Sequence, residues 1–276
     1  MPNTADDDAH DAVDLVTGPP HFIGLTVTAY SGCVRIRMNR PAARNSLTVA
    51  STVQLLAAVR WALRSGARVL VLEGDEQAWC VGGDIGEFHR APDRGDYIDE
   101  LAEVLHRLVS ELTRADAIVI AAIDGVAAGA GMPLAAAADI LIASERARFT
   151  LGYNKIGLTP DGGTTLLPAT MGLHRSLYLA LRNPILTAEQ AHRYGLVAEV
   201  VPEGQLDGAV DAIVGALANG PGRAMAQTKH LIRGQATAHA ESAMRLEALA
   251  VRRAADTDEA GEGIAAFLQK RAADFT

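Results

Sequence analysis

The sequence predicts an α/β fold with parallel strand pairing. Three observations carry this. Apolar runs at 69–72, 118–123 and 140–143 have no polar residue on either face, the pattern of strands buried on both sides. Stretches with helical spacing lie between several of these runs, and strands alternating with helices select a parallel sheet with crossover helices. Glycine-rich turns follow the buried runs, where a sharp change of direction needs small residues.

Taken in order, residues 1–20 read as a disordered acidic tail. They hold five aspartates (Asp6, Asp7, Asp8, Asp11, Asp14), no Lys or Arg, and end in Gly18-Pro19-Pro20, so they have little apolar surface to bury. Two strands follow, 23–30 and 33–38, around Ser31-Gly32. In the second, Val34, Ile36 and Met38 share one face. A helix is expected over 48–64 and stopped by Gly66. Another spans 97–114, where Ile98, Leu101, Ala102, Leu105, Leu108, Val109 and Leu112 form one apolar stripe. Beyond 172 the chain is mostly helical, over 173–181, 187–194, 205–217 and 238–254, with Gly195 suited to a left-handed helix end. The expected organisation is a tail (1–20), an α/β core (21–205) and a carboxy-terminal helical segment (206–276).

Composition narrows the function. Half the residues are apolar (49%) and only 4% aromatic, so the core is built from Ala, Val, Leu and Ile. The formal charge is −8, from 25 basic and 33 acidic residues. No basic patch is visible, which argues against nucleic-acid binding. No uninterrupted apolar run is long enough for a membrane span, and the amino terminus lacks a secretory signal pattern, so a cytoplasmic location is expected. Cys33 and Cys80 lie outside any zinc or redox spacing and read as inert thiols in a reducing compartment. His10, His21, His89, His174, His192, His230 and His239 show no metal-ligand clustering, so no metal is expected.

Three glycine-rich segments stand out: Trp79-Cys80-Val81-Gly82-Gly83-Asp84-Ile85, Asp124-Gly125-Val126-Ala127-Ala128-Gly129-Ala130-Gly131, and Ile156-Gly157-Leu158-Thr159-Pro160-Asp161-Gly162-Gly163-Thr164. The second opens an alanine-rich helix through Ala138. Small residues there let backbone N–H groups reach a ligand, and a helix start adds unpaired amides and positive dipole charge. The same residues also suit close helix–strand packing, and both readings stand. A dinucleotide site fits poorly, since the spacing is GxxxGxG rather than GxGxxG.

Together these segments resemble the enoyl-CoA hydratase/isomerase (crotonase) family. So does Met38-Asn39-Arg40-Pro41-Ala42-Ala43-Arg44-Asn45-Ser46-Leu47, and so does the run Glu262-Gly263-Ile264-Ala265-Ala266-Phe267-Leu268-Gln269-Lys270-Arg271. The match runs in family order over about residues 21 to 275. The resemblance implies stacked ββα turns forming a superhelix, with carboxy-terminal helices that mediate assembly into a trimer or a dimer of trimers. It implies an acyl-CoA thioester as substrate, with coenzyme A as part of it and no separate cofactor. The thioester carbonyl would sit between the Gly83 and Ala130 amides. Ala42, Arg44, Asp84, Ile85 and Gly86 would line the acyl-CoA, although Asp84 reads better as a carboxylate capping the next helix. Phe267 and Lys270, on one helix face, would reach the coenzyme A of a neighbouring subunit.

The sequence departs from the family's hydratases where they place two glutamates. Those positions hold Pro133 and Tyr153, neither of which takes a proton from water near neutral pH. Asp161 stands where family isomerases carry an acid/base carboxylate, although a Pro-Asp-Gly turn alone would also explain it. An isomerase with Asp161 as acid/base is therefore expected, with a hydratase or a non-catalytic acyl-CoA-binding protein as alternatives. His106 falls where the family's aryl-CoA dehalogenases carry a histidine. It lies off the apolar stripe of its helix and reads as a solvated flank.

Overall fold

The chain opens with a hairpin. β1 (Leu25–Tyr30) and β2 (Cys33–Met38) pair antiparallel, from Leu25↔Met38 to Tyr30↔Cys33. Between them Ser31 and Gly32 both have positive φ, 44° and 75°, as two-residue hairpin turns require. The computed structural model describes residues 18–75, 77–237 and 239–275. The expected disorder of the tail falls on residues 1–17, outside the described residues, as does Ala238, the expected first residue of a helix.

α1 (Val49–Arg64) starts at a capping box of Thr48 and Ser51, which satisfies two otherwise unpaired amides. A two-strand motif then repeats. β3 (Val69–Glu73) leads to β4 (Ala78–Cys80), α2 (Ile85–Arg90) and α3 (Arg94–Arg114). β5 (Ile118–Ile123) leads to β6 (Val126–Ala128) and α4 (Gly131–Ala136). β7 (Ile140–Ser144) leads to β8 (Arg148–Thr150) and a 3-10 turn, Tyr153–Ile156. Next come α5 (Leu167–Met171), α6 (Leu173–Arg182), β9 (Leu186–Thr187), α7 (Ala188–Tyr194) and β10 (Glu199–Val201). The chain closes with α8 (Leu206–Ala218), α9 (Gly222–Ala236), α10 (Ala240–Ala255) and α11 (Asp258–Gln269).

The first strand of each pair joins a large sheet, ordered β1-β2-β3-β5-β7-β10, and the second joins a small one, ordered β4-β6-β8-β9. Pairing is parallel from β2 to β10 and from β4 to β8. These are the stacked ββα turns that the resemblance implies. The sequence predicts glycine-rich turns where β4 and β6 lie and assigns no element to β8, because three residues are too few to show a period of two. Nor does it predict α9, whose only buried residues are Ala226 and Lys229, so no apolar stripe marks it.

The large sheet is buried on both faces. Leu70, Leu72, Val119, Ala121 and Ile123 face the main core. Val69, Val71, Ile120 and Ala122 face a second core with Val210 and Val214 of α8. Hence β3 and β5 read as unbroken apolar runs. Cys33 and Cys80 are buried and unpaired, and burial pushes their thiols up to about 11 and about 12. Among the described residues, no helix is long and apolar enough to cross a membrane.

Candidate active site

Two backbone loops meet beside one cavity. The loop after β4 is pinned by the Leu47 amide donating to the Gly82 carbonyl (2.7 Å) and the Asp84 amide donating to the Leu47 carbonyl (2.9 Å). The loop after β6 leads through Gly129 and Ala130 into α4. The approach is close: a Cβ on Gly82 would fall 2.8 Å from the Ala130 nitrogen. The Gly83 and Ala130 amides find no backbone acceptor among the described residues, and both residues line a cavity of about 320 Å³. A Cβ on Gly131 would overlap the Cys80 carbonyl. Close packing at Gly131 and an open amide at Ala130 therefore coexist. The expected helix through Ala138 is shorter, ending at Ala136, so what this segment offers a ligand is its amides rather than a long helix dipole.

The cavity wall is mostly hydrocarbon. Ile98, Leu101 and Leu105 come from α3, Leu158 from the loop after the 3-10 turn Tyr153–Ile156, Val251 from α10 and Phe267 from α11. Asp161 is the only carboxylate among the described lining residues, and it is 6% exposed. Its loop turns through Gly162 and Gly163 at φ of 87° and 95°. A Cβ on Gly162 would lie 3.2 Å from Ala130 Cβ, so the Asp161 loop abuts the open amides.

His106 does not sit on a solvated flank. Its Nε2 lies 2.9 Å from Asp161 Oδ1, and its side chain is 12% exposed. The reason is tertiary: α10 packs along α3 and covers that flank. The contact is short but bent, and neither atom has a well-aligned hydrogen-bond partner. Burial alone would lower the imidazole, but Asp161, then Glu247 and Glu103, raise it above its ordinary value.

Glu247, on α10, has no precedent in the sequence reading. Its Oε2 accepts from the Gly163 amide (2.9 Å) and the Thr164 amide (3.2 Å), and its Oε1 from the Thr165 amide (2.5 Å). It thus ties down the turn that carries Asp161. Burial and the Asp161 charge push its carboxyl up to about 7, against the amide hydrogen bonds and His106. No local motif signals it, since it lies far along the chain on an ordinary amphipathic helix. Tyr153 donates its hydroxyl to the Asp161 carbonyl (2.6 Å). Burial, with Asp161 and Glu247, holds its phenol well above its ordinary value. Pro133 lies buried in the first turn of α4, where its missing N–H breaks no helix bond.

His106, Asp161 and Glu247 place ligand-type atoms within 4.8 Å of one another. They fit a cation poorly. Both Glu247 oxygens already accept amide hydrogen bonds, and His106 rests directly on Asp161 without a gap for an ion.

The other expected residues divide. Arg44 and Ile85 line the cavity. Asp84 caps α2, accepting from the Glu87 amide (3.1 Å) and the Ser46 hydroxyl (2.8 Å), and is not a lining residue. Ala42, in the exposed 3-10 turn Pro41–Ala43, and Gly86 do not line it either. Phe267 lies on the rim, 59% exposed. Lys270 does not share its helix face as expected: α11 ends at Gln269, and Lys270 turns away at φ 55° as the left-handed cap. Lys155 lines the cavity without having been expected.

A sequence profile of the enoyl-CoA hydratase/isomerase family matches residues 28–276. The 1,2-epoxyphenylacetyl-CoA isomerase of Escherichia coli K12 is 34% identical over 252 residues, covering 89% of this chain and 95% of that protein. The trans-2-decenoyl-acyl-carrier-protein isomerase of Streptococcus mutans is 30% identical over 250 residues, covering 89% and 95%. Among solved structures, an enoyl-CoA hydratase from Mycobacterium avium subsp. paratuberculosis K-10 superposes with a TM-score of 0.85 at 32% identity, covering 93% of this chain and all (100%) of that one. Both kinds of chemistry occur among these relatives, so they establish the scaffold rather than the reaction. With its stacked ββα turns and a profile match over nearly its whole length, the chain belongs to the enoyl-CoA hydratase/isomerase family.

Proposed function

We propose that the chain is an acyl-CoA isomerase that shifts a proton along the acyl group. The observation that carries this is Asp161, the single carboxylate among the cavity's described lining residues, set among hydrocarbon walls beside two open amides. Asp161 takes a proton from an acyl carbon. The released electron pair moves into the thioester, and the charge on its carbonyl oxygen is held by the Gly83 and Ala130 N–H groups. Each such fixed donor is worth roughly 2.7–4 kcal/mol in a developing oxyanion. Asp161 then returns the proton to another carbon. One carboxylate suffices for this shift, whereas adding water is better served by two, and Pro133 and Tyr153 do not supply a second. The relatives' substrates support an acyl thioester, and no cofactor is needed beyond the coenzyme A that the substrate carries.

Assembly as a trimer or a dimer of trimers belongs to the same reading. It is supported by Phe267, exposed at the cavity rim, and by apolar residues left uncovered on α6 and α9.

Asp161→Asn tests the assignment on an acyl-CoA panel in deuterated water. Turnover should fall by about 10²–10⁴, the usual share of a positioned acid/base group, with coenzyme A affinity kept. Carbon-bound proton exchange without hydration is the expected wild-type signature. Hydration, or binding with neither reaction, would replace the isomerase by a hydratase or a binding protein. Near-normal turnover of Asp161→Asn would remove Asp161 from the chemistry.

A further inference from the structure

We propose that His106 is a positioning residue for the reaction, an imidazolium that holds Asp161 by Oδ1 and leaves Oδ2 to exchange the proton with substrate. The inference rests on the isomerase reading above. His106 Nε2 is 2.9 Å from Asp161 Oδ1. Both atoms are buried and neither has a well-aligned hydrogen-bond partner among the described residues, so what joins them is the charge contact. His106 itself is absent from the cavity lining while Asp161 is present, so it acts through the carboxylate and not on the substrate.

The physical need is clear. A carboxylate facing hydrocarbon walls is disfavoured in its charged form, and a proton acceptor must be charged before it acts. A neighbouring cation restores that form. The groups around His106 favour the cation. Asp161 and Glu247 face it from the loop and from α10, and Glu103 lies on its own helix. Their net effect outweighs burial and raises the imidazole. The arginines nearby are engaged elsewhere: Arg245 with Glu103 (2.8 Å), Arg252 with Asp96, and, on α1, Arg60 with Glu111 (2.7 Å). Tyr153 adds no charge, since its phenol stays protonated.

The pair has two readouts. The first needs no turnover: the His106 ring is titrated by NMR in the wild-type chain and in Asp161→Asn, its resonance identified by its absence from His106→Gln. Loss of the carboxylate should lower the His106 titration midpoint by about 1 unit or more. The second is the pH profile of kcat/KM. His106→Gln keeps a neutral donor but removes the charge. Its acid limb should move to higher pH, with a loss of roughly tenfold or more at pH 6 that shrinks by pH 8. A purely structural residue would scale the profile without moving the limb. An unmoved limb in His106→Gln, or an unchanged His106 midpoint in Asp161→Asn, overturns the proposal. So does complete loss of activity at every pH in a folded His106→Gln, which would make His106 the proton carrier. The NMR readout stands even if Asp161→Asn retains turnover, so failure of the pair and failure of the isomerase reading are separable.

Discussion

At the scale of single residues, Glu247 shows how a buried carboxyl couples stability to pH. Its folded carboxyl keeps its proton up to about 7, against an ordinary value of 4.5. Between those limits the folded state binds more protons than the unfolded state. The stabilisation from this group is therefore full below about 4.5 and is lost as pH rises through about 7. The change is on the order of 3 kcal/mol. Glu247→Gln cannot accept all three amides with one oxygen, so it should cost roughly 1–3 kcal/mol, and it lacks the titration. Its deficit in urea midpoint should be larger at pH 5 than at pH 8. A deficit that does not change with pH would show that Glu247 titrates normally.

At the scale of elements, the cavity depends on how α11 docks. A Cβ on Gly157 would lie 2.5 Å from the Glu259 carbonyl, and one on Gly263 would overlap the Ile156 backbone. Glycine on both sides lets α11 rest directly on the 3-10 turn after β8, which brings Phe267 to the cavity rim. Overpacking such a contact typically costs 1–3 kcal/mol. Gly263→Ala should destabilise the chain by about that amount and raise KM for the acyl thioester more than it lowers kcat, measured by urea unfolding and steady-state kinetics. Unchanged stability would mean that the contact yields freely.

At the scale of the whole molecule, α6 leaves an apolar face without cover. Leu173, Leu177 and Leu181 recur every four residues and are 60%, 46% and 67% exposed, with Tyr178 and Ile185 beside them. A face of this kind marks a contact surface. If it is buried in the proposed trimer, Leu181→Glu should shift the mass in solution toward the monomer, read by light scattering. A wild-type monomer, or a trimer indifferent to Leu181→Glu, would remove α6 from the interface.

The sequence by itself determined the layered architecture and singled out the loops that meet at the cavity. Strands β3, β5 and β7 were legible because burial on both faces leaves at most their last residue polar. Thr48, Gly66, Asp84 and Gly195 were legible as helix punctuation because capping is local chemistry. Gly83, Ala130 and Asp161 were singled out by the family resemblance that the glycine-rich segments carry, and all three line one cavity. Only the tertiary structure decided what surrounds Asp161. His106 reads as solvated from its own helix, and becomes buried because α10, far along the chain, covers it. Glu247 carries no local signal, because its partners are backbone amides of a distant turn. Lys270 was expected on the helix face of Phe267 but is the cap after Gln269, because periodicity does not show where α11 stops. Local sequence encodes local conformation, whereas the partner of a buried charge is set by packing between segments that are remote in sequence.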